Sequence, residues 1–388
     1  MDIKKEILNL QEELIGLRRD FHEHPELGKQ EYRTSGIIEE YLKSLGLEVR
    51  RCAGTGVIGV LKGLMPGRNV MLRCDIDALP VEEQTGLPFK SKNPGVMHAC
   101  GHDGHAAMLM ITAKILSRIK DTIKGNIVFL FQLNEEDAGA ELMIADGAFD
   151  DPKPDAICGL HLWSPLKSGT IGIVSGPIMA SSYYFKLTIN GKGGHGGAPH
   201  KAVNPIDTAV HVLSAIKTLI ALELDANKPT VISVCKIHGG SKEIIIPDSV
   251  ELEGSIRCLH DDDELLRERF TELIEDVCRA YRCTCIVEFK CGNTILNNDK
   301  RLTAMAMDVA KEVVGEENIQ TENVSVMLGD DFAEFSRRIP GIYYFVGVAD
   351  ESKNTNHEHH NPHFDIDEDA LLVGVEMQVN LALKILNS

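Results

Sequence analysis

Val70-Met71-Leu72-Arg73-Cys74-Asp75-Ile76-Asp77 is a short apolar run that ends in two carboxylates. Gly63, Pro66 and Gly67 punctuate the chain just before it, so residues 70–72 read as a buried strand. The same form recurs twice. Residues 126–133 make a strand that runs into Asn134-Glu135-Glu136-Asp137, and residues 156–160 make one that runs into His161. Helical stretches at about 106–119 and 140–146 separate them. This alternation implies an α/β sheet with parallel members and flanking helices. In such sheets ligands bind beyond the carboxyl ends of the strands. Here those ends carry Asp75 and Asp77, then Glu135 and Glu136, then His161, all side chains that ligate divalent cations.

Between the first two strands lies Met97-His98-Ala99-Cys100-Gly101-His102-Asp103-Gly104-His105. It brings three imidazoles, a thiol and a carboxylate into one segment. Gly101 lets the backbone turn tightly, so Cys100 and His102 can converge on one point. Alone, each piece has a plain reading. Cys-x-His occurs in polar loops, a Glu pair is usually solvated, and a single His is usually a buried imidazole bonded to backbone. It is their recurrence at successive strand ends that argues for a hydrolytic metal site. Such a site needs ligands that leave room for water and a base that is not itself coordinated. Glu135 and Glu136, adjacent at a strand end, point to different sides and can divide those tasks.

The rest of the chain frames this region. Ile3, Ile7, Leu10, Leu14, Leu17 and Phe21 form one face of an opening helix, ended by His24-Pro25 and Gly28, and a second helix covers 34–45. In the middle, a half-exposed strand at 185–189 leads to the glycine-rich turn 191–197 with His195. A helix at 205–222, strands at 230–237 and 250–257, a helix at 263–281 and a strand at 285–289 follow. That β-α-β-β-α-β order suits a ferredoxin-like domain inserted at 181–290. The predicted fold is thus α/β with two domains, a mixed sheet flanked by helices (1–180 and 291–388) and the insertion. The closing part has a helix at 299–314, a strand at 342–348, the His-rich run His357-Glu358-His359-His360-Asn361-Pro362-His363 and a last helix at 368–385. Spacing does not choose among those four histidines.

With 388 residues, 43% of them hydrophobic, the chain can bury large cores. A net charge of −18 repels nucleic acid and anionic membranes. The start, Met1-Asp2-Ile3-Lys4-Lys5-Glu6, has no apolar signal core, and no run approaches the roughly 18 apolar residues of a membrane helix. Ten cysteines without a Cys-x-x-Cys pair read as free thiols in a reducing compartment. The expectation is a cytoplasmic protein with no nucleic-acid or membrane partner.

Taken in order, the motifs resemble the M20 metallopeptidase family, in particular its amidohydrolase branch of N-acyl-amino-acid aminoacylases, hippurate hydrolases and auxin-conjugate hydrolases. The likeness covers nearly the whole chain. It runs through Asp75-Ile76-Asp77-Ala78-Leu79-Pro80, the 97–105 string, Glu135-Glu136, Gly159-Leu160-His161, Gly193-Gly194-His195, Pro247-Asp248, Gly254-Ser255-Ile256-Arg257, Asp331-Phe332 and His360-Asn361-Pro362-His363-Phe364. The resemblance implies a catalytic domain that binds two divalent ions (Zn, Mn, Co or Ni) and a smaller lid domain that often makes a homodimer or higher oligomer. It implies Cys100, His102, Glu136, His161 and His360 as ligands, with Cys100 bridging, and Glu135 as general base. His195 would bind the oxyanion or substrate, and Arg257 the substrate carboxylate, which a guanidinium fork fits bidentately. Asp77 is either a turn residue before Pro80 or the group that fixes a ligand imidazole.

The implied reaction is hydrolysis of the amide in an N-acyl-L-amino acid. A dipeptidase or carboxypeptidase of the same fold is the alternative, and a non-catalytic metal-dependent binding protein a third reading. The chain departs from the family pattern at Leu133, Asn134 and Asp137 around the Glu pair. Asp137 is an added acid expected to raise the pKa of the base. It departs again at Ile244, where relatives tend to carry a substrate-binding Asn.

Overall fold

The 70–72 run is the centre of a longer strand, Met65–Asp75, within a mixed sheet. The structure is a computed structural model and describes residues 2–388. Among the described residues that sheet has eight strands, in the order Glu48–Cys52, Gly56–Lys62, Lys124–Gln132, Met65–Asp75, Ala156–Lys167, Gly341–Ala349, Ile171–Gly172 and Ile319–Gln320. Met65–Asp75 runs parallel to both neighbours, and Ala156–Lys167 runs parallel to Gly341–Ala349. The Glu48–Cys52 and Gly56–Lys62 strands are antiparallel additions at one edge. The expected mixed sheet is present, and its central strands are nearly continuous apolar runs because both faces are covered.

Side-chain alternation assigns the faces. Val70, Leu72, Cys74, Ile127, Phe129 and Phe131 join Leu109, Ile111 and other residues of the helix His102–Arg118 in one buried cluster. Residues of the other parity, including Arg73 and Gln132, belong to the opposite face. The His102–Arg118 helix is buried on nearly every side, and the closing helix Ala370–Leu386 packs on it closely. A Cβ at Gly374 would crowd the Met108 side chain, so the glycine eases that approach.

Three boundaries differ from expectation in ways that bear on the site. The central helix begins at His102 rather than 106, because Gly101 (φ 94°) turns the chain directly into it. His161 is inside a strand, not at its end. Pairing with Gly341–Ala349 carries the strand on to Lys167, with His161 opposite Phe345. The opening helix is two, Ile3–Asn9 and Gln11–Glu23, broken at Leu10 (φ −103°, ψ 4°).

The chain divides into two compact units. One holds the residues up to Ile178 with Asn297–Val324 and Asp330–Ser388; the other holds Met179–Leu296 with Ser325–Gly329. In the second unit Ser181–Asn190, Pro205–Thr218, Thr230–Gly239, Ser249–Cys258, Asp263–Ala280 and Thr284–Cys291 follow in β-α-β-β-α-β order. Its antiparallel sheet runs Thr230–Gly239, Ser249–Cys258, Ser181–Asn190, Thr284–Cys291. Phe185, Leu187 and Ile189 pack with Val212 and Ile216 of one helix and Phe270 and Ile274 of the other.

The expectation that no segment has membrane length needs correction. Pro205–Glu223, 19 residues with a mean hydropathy of 1.4, is long and apolar enough by composition, although a third of that stretch is buried inside the second unit. None of the ten cysteines is in a disulfide.

Candidate metal centre

Gly101 sets the first geometry. It separates Cys100 from His102 in left-handed backbone, and His102 opens the buried helix. His102 Nδ1 faces the Asp77 carbonyl at 2.9 Å and Asp77 Oδ1 at 3.2 Å. Nδ1 therefore carries the proton, and Nε2 is left buried without a hydrogen-bond partner. Asp77 thus does more than turn the chain. Its other oxygen accepts the Glu136 N–H at 3.1 Å, tying the Glu pair to the same anchor.

Glu135 and Glu136 lie in a 3-10 turn, Glu135–Asp137, rather than on the strand, which stops at Gln132. His161 donates from Nδ1 to the Leu162 carbonyl (2.7 Å), which leaves Nε2 3.5 Å from Cys100 Sγ. The His360 N–H donates to the Ala99 carbonyl (2.8 Å), docking the His-rich run beside Cys100. His360 Nε2 then lies 3.2 Å from Glu136 Oε1, an oxygen with no partner in hydrogen-bond geometry. His359 instead bonds the Leu162 carbonyl and Ser164, and the His357 and His363 rings face each other.

Ligand-type atoms come together in overlapping sets, each within 4.8 Å: Cys100, His102 and His161; Cys100, Glu136 and His360; His102, Glu135 and Glu136. Cys100 is common to the first two. Asp75, His102 and His105 form another set, and Glu135, Asp330 and Asp331 a further one.

This donor set fits divalent cations. Thiolate, imidazole and carboxylate suit a borderline-soft ion, and His102 Nε2 and Glu136 Oε1 are buried polar atoms without a hydrogen-bond partner. The electrostatics agree. Burial lowers the His102 pKa, but Asp75, Asp77 and Glu136 outweigh it and raise it to about 10, so these acids demand a positive charge here. Burial and the neighbouring His105 and His359 hold His161 well below its usual range, in the neutral form a metal requires. Burial, then Glu136, Glu135 and Asp75, push the Cys100 thiol up, so only a cation would keep it as thiolate.

Glu135 is held well above the usual carboxylate range by burial, then Asp330, Glu136 and Asp331. The acids pressing on it are those and not the expected Asp137, which is exposed at the end of its turn. Behind them lies a cation that the sequence did not single out. Arg73 is fully buried, with Nη1 2.7 Å from Asp75 Oδ2, Nη2 3.1 Å from Asp331 Oδ1 and Nε 2.8 Å from Gln132 Oε1. The available signal was a charged residue inside an otherwise apolar strand.

His195 and Arg257 belong to the second unit. His195 lies on the short strand Gly194–His195, paired with Ile245–Ile246, and its Nδ1 accepts the Gly197 N–H at 2.9 Å. Arg257, on Ser249–Cys258, donates from Nη1 to the Met327 carbonyl at 3.1 Å.

Comparison with known proteins gives this geometry a family. The model of peptidase family M20/M25/M40 matches residues 71–384. The chain belongs to that family. This M20 chain is similar to "Thermostable carboxypeptidase 1" of Saccharolobus solfataricus, 39% identical over 99% of this chain and 98% of the relative. It is 43% identical to the "N-acyl-L-amino acid amidohydrolase" of Geobacillus stearothermophilus, over 72% of this chain and 75% of the relative. Among solved structures it superposes on a dinuclear metal-binding peptidase of the M20 family from Bacillus subtilis with a TM-score of 0.86 and 32% identity, covering 98% of this chain and 99% of that one. This M20 protein is accordingly a hydrolase, and the resemblance seen in the motifs is a true membership.

Proposed function

We propose that this M20 hydrolase holds two divalent cations through Cys100, His102, Glu136, His161 and His360, and cleaves the amide of N-acyl-L-amino acids to a carboxylate and a free amino acid. The observation that carries the reading is the pair of overlapping ligand sets that share Cys100, with Glu135 beside them. When bound, such cations make water acidic enough to attack at neutral pH and polarise the scissile carbonyl. The chain's own residues do the rest. Glu135 takes the proton of the attacking water and gives it to the amide nitrogen as the C–N bond breaks. Asp77 holds His102 in the Nδ1–H tautomer and orients Glu136. With Nδ1 occupied by the Gly197 N–H, His195 presents Nε2–H, a donor suited to an oxyanion. Arg257 is the candidate partner of the substrate's α-carboxylate.

The carboxypeptidase reading has support from the full-length likeness to a thermostable carboxypeptidase. The two reactions break the same kind of bond, an amide whose nitrogen belongs to an amino acid with a free carboxylate, and differ in what sits on the carbonyl side. Ile244 is an exposed apolar residue where the family resemblance implies a substrate-binding Asn. The deciding experiment reconstitutes the protein with Zn²⁺, Mn²⁺, Co²⁺ or Ni²⁺ and measures free amine from N-acetyl and N-benzoyl amino acids and from dipeptides. Faster release from the acyl amino acids is expected. Preference for dipeptides across the panel gives the reaction to the peptidase reading, and no release with any metal removes both.

We also propose a homodimer or higher oligomer in the cytoplasm. Thr230–Gly239 is an edge strand of the second unit and exposes Val231 and Ile237, an unprotected edge suited to pairing. None of the ten cysteines is in a disulfide, which suits a reducing compartment. Light scattering that returns a monomer at micromolar concentration would remove the oligomer.

A further inference from the structure

We infer that His105 is a positioning residue of the metal centre and not one of its ligands, although it lies within ligating distance of Asp75 and His102. The inference rests on the dinuclear reading above. Both nitrogens of its ring, which is fully buried, are already engaged. Nε2 is 2.9 Å from the backbone nitrogen of Leu162, and Nδ1 is 2.6 Å from Asp75 Oδ1. A backbone amide can only donate, so Nε2 carries no proton and its lone pair is taken. Nδ1 holds the proton and donates it to Asp75. Coordination through Nε2 would strand the buried Leu162 N–H, and coordination through Nδ1 would break a buried charge-assisted hydrogen bond.

What these bonds accomplish is visible one residue on. The Leu162 carbonyl accepts from His161 Nδ1 (2.7 Å) and from His359 Nε2 (3.0 Å). Leu162 is therefore gripped at its N–H by His105, while its carbonyl orients the ring that sends Nε2 toward Cys100. The rings of His105 and His161 meet edge to face, with centroids 4.7 Å apart. On its other side His105 is anchored through Asp75 to Arg73, and through Arg73 to Asp331. Asp331 accepts the Ala140 N–H at 2.8 Å, just beyond the Glu135–Glu136 turn. One buried hydrogen-bonded line thus joins the segment after the Glu pair to the His161 ring, and His105 is the link that crosses between strands.

The test measures bound metal by elemental analysis, affinity by chelator competition, and the visible spectrum of the Co²⁺-loaded protein. It compares the wild type, His161→Ala, His105→Gln and His105→Asn. Gln places an acceptor oxygen near the Nε2 position and can hold the Leu162 N–H. Asn places its amide near Nδ1 and cannot reach Leu162. With two ions in the wild type, His105→Gln is expected to keep two at nearly unchanged affinity. His105→Asn is expected to keep two with about 10–100-fold weaker binding and shifted Co²⁺ bands, and His161→Ala to lose one. Loss of an ion from either His105 variant at saturating metal makes His105 a ligand and overturns the inference, as does wild-type affinity and spectrum in both. If His105→Asn does not fold, His105→Gln decides alone, by its ion count and spectrum. A wild type that takes up no ions defeats the dinuclear reading itself, a result distinct from these.

Discussion

Glu135 sits in a turn whose entrance and exit, Asn134 and Ala138, both adopt left-handed backbone (φ 52° and 61°). Asn tolerates that conformation, and its side chain closes the turn by donating to the Asp137 carbonyl at 3.0 Å. The departure at Asn134 is therefore a local solution to a backbone demand. Ala138 has no such compensation, and the left-handed region costs a non-glycine residue about 1–2 kcal/mol. Ala138→Gly should leave stability unchanged or raise it by up to about 1 kcal/mol in denaturant unfolding; a clear loss would mean that the turn is held otherwise. Glu135→Gln keeps the shape and removes the base. Amine release should fall by about 10²–10⁴-fold while elemental analysis still finds the wild-type metal content. Metal lost along with activity would make Glu135 a ligand. At this scale the sequence supplied residue types but not atoms. It offered four histidines in the 357–363 run, and only the His360 N–H bond to Ala99 brings one of them beside Glu136.

Two helices meet behind the centre through buried charge. Arg18 and His22, one turn apart on Gln11–Glu23, both reach Asp103 Oδ2 in the first turn of His102–Arg118, at 2.9 and 2.7 Å. Arg18 also pairs with Asp365 and Glu368 ahead of the closing helix. Periodicity found the apolar face of the first helix, but it could not show that Arg18 and His22 are buried with it, because burial of a charge depends on partners about 80 residues away. The pH response follows from these contacts. Burial and Arg18 lower the His22 pKa, yet Asp103 and Glu83 prevail and raise it above 6.5. A raised histidine contributes stability that is complete below its unfolded value of about 6.5 and is lost as pH climbs through its folded value. Asp103 is shifted the other way. Burial raises it, but Arg18 and His22 hold it well below 3.8, so its share is present above that value and is lost only in strong acid. In metal-free protein the thermal midpoint of the wild type should exceed that of His22→Asn most between about pH 4 and 6.5, with the gap narrowing at higher pH. A gap that widens toward pH 9 would contradict this origin.

Across the whole molecule, all five proposed ligands and Glu135 lie in the first unit, whereas His195 and Arg257 lie in the second. A bound ion stabilises what it touches by mass action, about 2.7 kcal/mol at a hundredfold excess over Kd. Chelation should therefore raise amide hydrogen exchange around 97–105, 134–140 and 356–364 and leave the Ser249–Cys258 strand unchanged. Equal loss of protection in both units would show that the cations hold more than their ligands' own unit. The sequence by itself determined the α/β class, the alternation of strands and helices, the ferredoxin-like order of the middle segment and the family, because apolar periodicity, glycine punctuation and contiguous motifs are local properties of a chain. Only the tertiary structure decided that His161 is interior to a strand, that Arg73 is the buried counter-charge, and that both His105 nitrogens are spent. Each of these depends on which distant segments pack together, and a hydrogen bond is specified by the distance and direction between two atoms, not by their separation along the backbone.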